Sequence, residues 1–145
     1  MLNLDSAMKA LEGEPWVHDL KVGGGNIPSL RIGTSITMID GHQVDVWLKF
    51  YEPGPLLTDL RGINSLLEGL RPHSPEPLYA AAKERVEWHH REIEFDEDYA
   101  GGDYYRRSTS KTPEALQIEV YWFAHRLAEL LLVGYEAASD SKEMA

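Results

Sequence analysis

Apolar residues at Leu4, Ala7, Met8 and Leu11 recur with the i, i+3, i+4, i+7 spacing of an amphipathic helix. Asn3 or Asp5 stands where an N-cap is needed, and Gly13 and Pro15 end the pattern. The following KVGGGNIPSL reads as a flexible loop. Its glycines are adjacent rather than spaced, and no Lys-Ser/Thr ending follows. The stretch therefore matches neither a phosphate loop nor a dinucleotide-binding turn.

The period then changes to two. Leu30, Ile32, Thr34, Ile36 and Met38 alternate with more polar neighbours, as do Val44, Val46, Leu48 and Phe50. MIDGHQ joins the two runs, and Asp-Gly is a hairpin signal. A two-residue turn at Asp40-Gly41 would set Val44 opposite Thr37 and send the two apolar sets to opposite sides. A three-residue loop, Asp40-Gly41-His42, sets Met38 opposite Val44 and Ile36 opposite Val46. A single buried face requires such an odd-length loop, or a bulge with the same effect. The other face of the second strand carries Asp45, Trp47, Lys49 and Tyr51. Two aromatics there imply either cover from the N-terminal helix or a loop, or a partner surface.

PGPLLTDL supplies a short third strand through Leu56 and Leu57. Thr58 or Asp59 then caps a helix bearing Ile63, Leu66, Leu67 and Leu70. Ser74 and Pro75 open a second helix with the stripe Leu78, Ala82 and Val86. Residues 86–110, VEWHHREIEFDEDYAGGDYYRRSTS, join two histidines to acids, tyrosines and arginines. Ile93 and Phe95 alternate with Glu92, Glu94 and Asp96, which gives a strand with one acidic face. DYAGG is turn-like, and DYYRRST returns as the partner strand, with Arg106 and Arg107 across from the glutamates. The whole stretch reads as a helix end followed by a charged hairpin.

Thr112, Pro113 and Glu114 form a strong helix start. Leu116, Val120, Phe123, Leu127 and Leu130 make one apolar stripe, Ile118, Trp122 and Leu131 widen it, and Gly134 is a stop signal. So wide an apolar surface belongs to a central helix, or to one shared with another subunit. The expected fold is α+β: an antiparallel hairpin or meander with amphipathic helices packed on it and a long C-terminal helix. Residues 1–138 form one domain and 139–145 a polar tail.

Composition narrows the function. The 145 residues include no cysteine, which removes disulfides, thiolate nucleophiles and zinc sites with sulfur ligands. No apolar run approaches the roughly 20 residues of a membrane span, and the N-terminus lacks the pattern of a signal peptide. A cytoplasmic location is expected. The net charge of −10 opposes direct binding to a phosphate backbone and suits a protein partner with a basic surface.

The segments SLRIGTSITMIDGHQVDVWLKF, GPLLTDLRGINSLLEGL and LQIEVYWFAHRLAELLLV follow one another in the order hairpin, short strand with Leu57-Thr58-Asp59, helices and long helix. Over residues 28–133 this resembles a bacterial and phage domain family of unknown function, number eighteen-twenty-eight. The resemblance implies an α+β fold and an association with phages and mobile elements. It implies no activity and no catalytic residues.

The residues offer little convergent chemistry. His89 and His90 are adjacent and diverge by about 100° on a helix, unlike the i, i+4 pairs of zinc helices. His90 with Glu94 or Asp96 is the remaining metal arrangement, and a metal-dependent hydrolase using His89, His90 and Asp96 is the rival reading. Asp45 and Lys49 share a strand face, but position 47 is tryptophan where a nuclease would carry an acid. His125 stands four residues before Glu129, a common surface pairing. The favoured reading is a non-enzymatic binding module without cofactor or metal. It is a phage or mobile-element accessory protein that inhibits a host factor such as a nucleic-acid-handling defence complex of the CRISPR type. Glu92, Glu94, Asp96, Glu97, Asp98 and Asp103 supply electrostatic steering, together with Asp45. Trp47, Tyr51, Tyr99, Tyr104 and Tyr105 supply anchors. A structural oligomer, such as a homodimer through the C-terminal helix, or a defence-system subunit is the further alternative.

Overall fold

A computed structural model describes residues 2–23, 25–70, 74–96 and 102–144, with 141–144 as backbone only. The elements follow in the order α1 (Leu4–Glu12), β1 (Val17–Gly23), β2 (Ser29–Thr37), β3 (Gln43–Tyr51), β4 (Gly54–Thr58), α2 (Gly62–Glu68), α3 (Pro75–His89), β5 (Glu94–Asp96), β6 (Asp103–Arg107) and α4 (Pro113–Met144). The fold is α+β. Six strands form one antiparallel sheet in the order β1-β2-β3-β4-β6-β5. No described helix is long and apolar enough to cross a membrane.

Strand β1 escapes the sequence pattern. Only Leu20 and Val22 alternate in it, and an edge strand with mostly exposed side chains needs no more. The segment expected to be a loop thus begins inside a strand, at Lys21–Gly23.

The β2–β3 hairpin combines both devices that keep one apolar face. Met38 N–H donates to His42 O at 2.7 Å and Gly41 N–H to Met38 O at 2.9 Å, closing an odd-length loop with Gly41 at φ 90°. A bulge then shifts the register between Gly33 and Thr37. Ile32 therefore stands opposite Val46 and Leu30 opposite Leu48, not Ile36 opposite Val46 as expected. The loop, Ile39–Gly41 and not Asp40–His42, sets Met38 opposite His42 and moves the register by two residues, and the bulge moves it by two more; both are even, so the buried face is the anticipated one. Buried Thr34 stabilises the bulge by donating its Oγ1 hydrogen to Val44 O at 2.7 Å.

Helix α4 crosses the inner face over β2 and β3. Leu116, Val120, Phe123, Leu127 and Leu130 are all buried there, against Leu30, Ile32, Val46, Leu48 and Leu57. Burying each such side chain stabilises the fold by about 1.5–3 kcal/mol. Two readings of α4 are corrected. Ile118 is 72% exposed, because it lies about 200° around the helix from Leu116. Gly134 does not end the helix, which runs to Met144 and takes in most of the segment read as a tail. Its glycine has a packing consequence: a Cβ there would lie 2.2 Å from Leu67 Cδ2, so the buried Leu67 side chain of α2 fills the space a Cβ would take.

The other helices lie in the same layer as α4. Gln117 Nε2 donates to Ala10 O of α1 at 2.6 Å, Leu67 of α2 packs on Gly134, and Leu78, Ala82 and Val86 of α3 join the core. One face of the sheet is thus covered and the other carries none of the described helices.

Candidate functional site

Strand alternation decides which side chains reach the uncovered face. The pairing orders them in rows. Lys49, Leu56 and Arg107 are lateral neighbours on β3, β4 and β6. The next row is Arg31, Trp47, Thr58, Tyr105 and Glu94, from β2 to β5. Asp103 and Asp96 form a third. Of these rows, Lys49, Leu56, Arg107, Thr58, Tyr105, Asp103 and Asp96 line a groove of about 320 Å³, with Tyr51 and Pro53 of the β3–β4 turn at one end and Leu60 at the other; Arg31, Trp47 and Glu94 lie outside it.

Charges of both signs line this face. Arg31 and Asp45 form an ion pair at 2.6 Å, and the hydrogen bond to Asp45 holds the Arg31 guanidinium above its ordinary pKa. Burial pushes the Asp103 carboxyl up; Asp96 adds to the shift and Lys49 opposes it. Burial also raises the Tyr105 phenol, reinforced by Glu94.

The turn that presents Leu60 is strained and firmly held. Leu60 and Arg61 both adopt left-handed backbone, at φ 47° and 65°, where residues other than glycine are uncommon. Asp59 fixes them. Its Oδ1 accepts from the N–H of Arg61 at 3.1 Å and of Tyr104 at 2.9 Å, and its Oδ2 from the N–H of Ile63 at 3.1 Å. Burial pushes the Asp59 pKa up to about 7, although these N–H donors work against the rise. The N-cap of α2 is Arg61, which makes no side-chain cap bond, and not Thr58 or Asp59 as expected; Asp59, two residues ahead of the cap, still satisfies the Ile63 N–H. Its bond to β6 has no local signal in the chain.

The fold separates the expected partner-binding residues. Asp45, Trp47, Tyr51, Glu94, Asp96, Asp103 and Tyr105 share the open face. The N-terminal helix, one proposed cover for Trp47 and Tyr51, packs beside α4 instead. Tyr104 is corrected: it is fully buried on the inner face against Phe95, with ring centroids 4.9 Å apart, because adjacent strand residues point to opposite sides. Glu92 is exposed ahead of β5 and borders a different hollow with Arg106 and Trp122. Glu97, Asp98 and Tyr99 lie outside the described residues.

Neither arginine of β6 faces a glutamate of β5. Glu94 pairs with Tyr105 and Asp96 with Asp103, while Arg107 lies beside Leu56. Arg106 turns inward, where its Nε donates to buried Glu119 of α4 at 2.8 Å and its guanidinium stands 5.4 Å from the Trp122 ring centroid. Glu119 also accepts from the hydroxyls of Ser108 and Ser110. Sequence reasoning missed this cluster, since nothing local distinguishes Glu119 from a solvated helix residue.

His89 is exposed at the end of α3, whereas His90 and His125 pack against α4 neighbours. His90 is buried and its Nε2 pairs with Glu129 of α4, which also lies 3.7 Å from Arg85 and 3.6 Å from Arg126. Burial of Glu129 is outweighed by His90 and these arginines, and its pKa is lowered. His125 packs edge-on against Tyr121 at 4.5 Å rather than reaching Glu129. Among the described residues, no three His, Asp or Glu side chains are grouped to hold a metal ion. Comparison with family models, curated proteins and solved structures gave no match to this chain.

Proposed function

We propose that this chain is a small acidic binding protein without catalytic activity, and that the open sheet face docks on a protein partner. The observation that carries the proposal is the placement of Trp47, Tyr51 and Tyr105 on a sheet face that no described helix covers. Aromatic side chains bordered by charge are the composition of binding hot spots. The net charge of −10 favours a partner with a basic surface. The resemblance to the domain family number eighteen-twenty-eight extends the proposal to a phage or mobile-element accessory protein. Its target would be a host factor, such as a defence complex that handles nucleic acid.

The test is a tagged pull-down from a lysate of the source cells at low and high salt, with bound proteins identified by mass spectrometry. A stoichiometric partner is expected, weakened by salt and lost with a Trp47→Ala, Tyr51→Ala double variant. Absence of any such partner overturns the proposal.

A second reading, a homodimer through α4, is favoured by one observation. Ile118, Tyr121 and Leu132 are 72%, 43% and 38% exposed and project from the side of α4 opposite its core stripe. Light scattering distinguishes the two: a dimeric mass that Ile118→Asp converts to a monomer supports it, and a monomeric wild type removes it.

A further inference from the structure

The open face carries charges of both signs, and they are separated along it. Arg107 and Asp103 lie on the same side of β6, four residues apart, and so about 13 Å from each other along the strand. Beside Arg107, across Leu56, stands Lys49, two strands away at about 10 Å. The groove is therefore bipolar: Arg107 stands beside Leu56 at one end and Asp103 with Asp96 at the other, with the Lys49 charge between them acting on Asp103. Its floor, Leu56 and Thr58, is one strand wide between β3 and β6. An α-helix, about 10–12 Å across with side chains, overfills such a channel. A single extended chain fits it and places every second side chain on one side.

We infer that the groove takes an extended segment of the partner protein that carries an acidic and a basic side chain four residues apart. The acidic side chain sits at Arg107. The basic one sits at Asp103, where the ring of Tyr105 adds a cation–π surface. Four residues in a strand span the same distance as Arg107 to Asp103 and keep both side chains on one face. This inference rests on the proposed protein-binding function and specifies the chemistry of the partner.

The experiment titrates the ¹⁵N-labelled chain with four blocked peptides of equal length, built on valine and threonine. Two carry glutamate and arginine four positions apart, one in each order; the controls carry two glutamates or two arginines. Amide shifts of Leu56, Thr58, Tyr105 and Arg107 are followed. Saturable shifts with at least one mixed peptide are expected, weakened about tenfold or more by Arg107→Glu and by Asp103→Asn. Equal binding of a control peptide, or no saturable shift with either mixed peptide, overturns the inference. The same variants in the pull-down separate the two levels. A partner lost with Trp47→Ala, Tyr51→Ala but retained by Arg107→Glu and Asp103→Asn leaves the binding function standing and removes the bipolar groove.

Discussion

The carboxylate of Asp59 accepts the backbone N–H of Tyr104 at 2.9 Å, and the Asp59 N–H donates back to the Tyr104 carbonyl at 3.1 Å. A side chain thus extends the β4–β6 ladder by one rung, while its other oxygen starts α2. Asp59→Ala strands three backbone N–H groups at once. It is expected to destabilise the fold by about 2–4 kcal/mol in urea unfolding, and to weaken partner binding because Leu60 loses its support.

The same group has a pH signature. Its folded pKa, about 7, is raised above the ordinary 3.8. A raised carboxyl contributes stability that is fully present below the unfolded pKa and lost as pH rises through the folded one. Relative to Asp59→Asn, wild-type stability should therefore fall between about pH 4 and pH 7 and level off above. Parallel curves for the two proteins across that window would contradict the assignment.

Tyr104 and Tyr105 are adjacent, yet only Tyr104 is buried in the core. Tyr104→Ala should cost about 3–5 kcal/mol. Tyr105→Ala should change stability by no more than about 1 kcal/mol and act on partner binding instead. Chemical denaturation of both variants, compared with their pull-downs, checks the assignment of faces.

Glu119 is 7% exposed and joins Arg106, Ser108 and Ser110. Glu119→Ala leaves the guanidinium without its buried partner and is expected to destabilise by about 3 kcal/mol. Glu119→Ala with Arg106→Met should recover part of that loss, and a double-mutant cycle measures how much.

Gly134→Ala tests the approach of α2 to α4. Helix propensity alone would favour alanine by about 1 kcal/mol. The collision with buried Leu67 should outweigh this and give a net loss of about 1–3 kcal/mol. Adding Leu67→Ala should make the glycine substitution harmless, visible as strong non-additivity in unfolding midpoints.

Periodicity alone determined the elements that bury a full face. The stripe from Leu116 to Leu130 and the alternating runs around Ile32 and Val46 were legible because an apolar face repeats with the geometry of its element. Parity also made the facing of Trp47 and Tyr51 legible, since a shift by an even number of residues preserves it. The bulge at Thr34 was not legible, because either register buries the same side chains. Nor was β1, whose edge position asks for few apolar residues. The Gly134 stop signal was overridden by a close helix contact, and Arg106 left its local acids for Glu119. Both outcomes depend on residues distant in the chain. The groove depends on them too: Lys49, Leu56, Arg107 and Asp103 become neighbours only because β6 pairs with β4, and backbone hydrogen bonding leaves no trace of partner choice in the strands themselves.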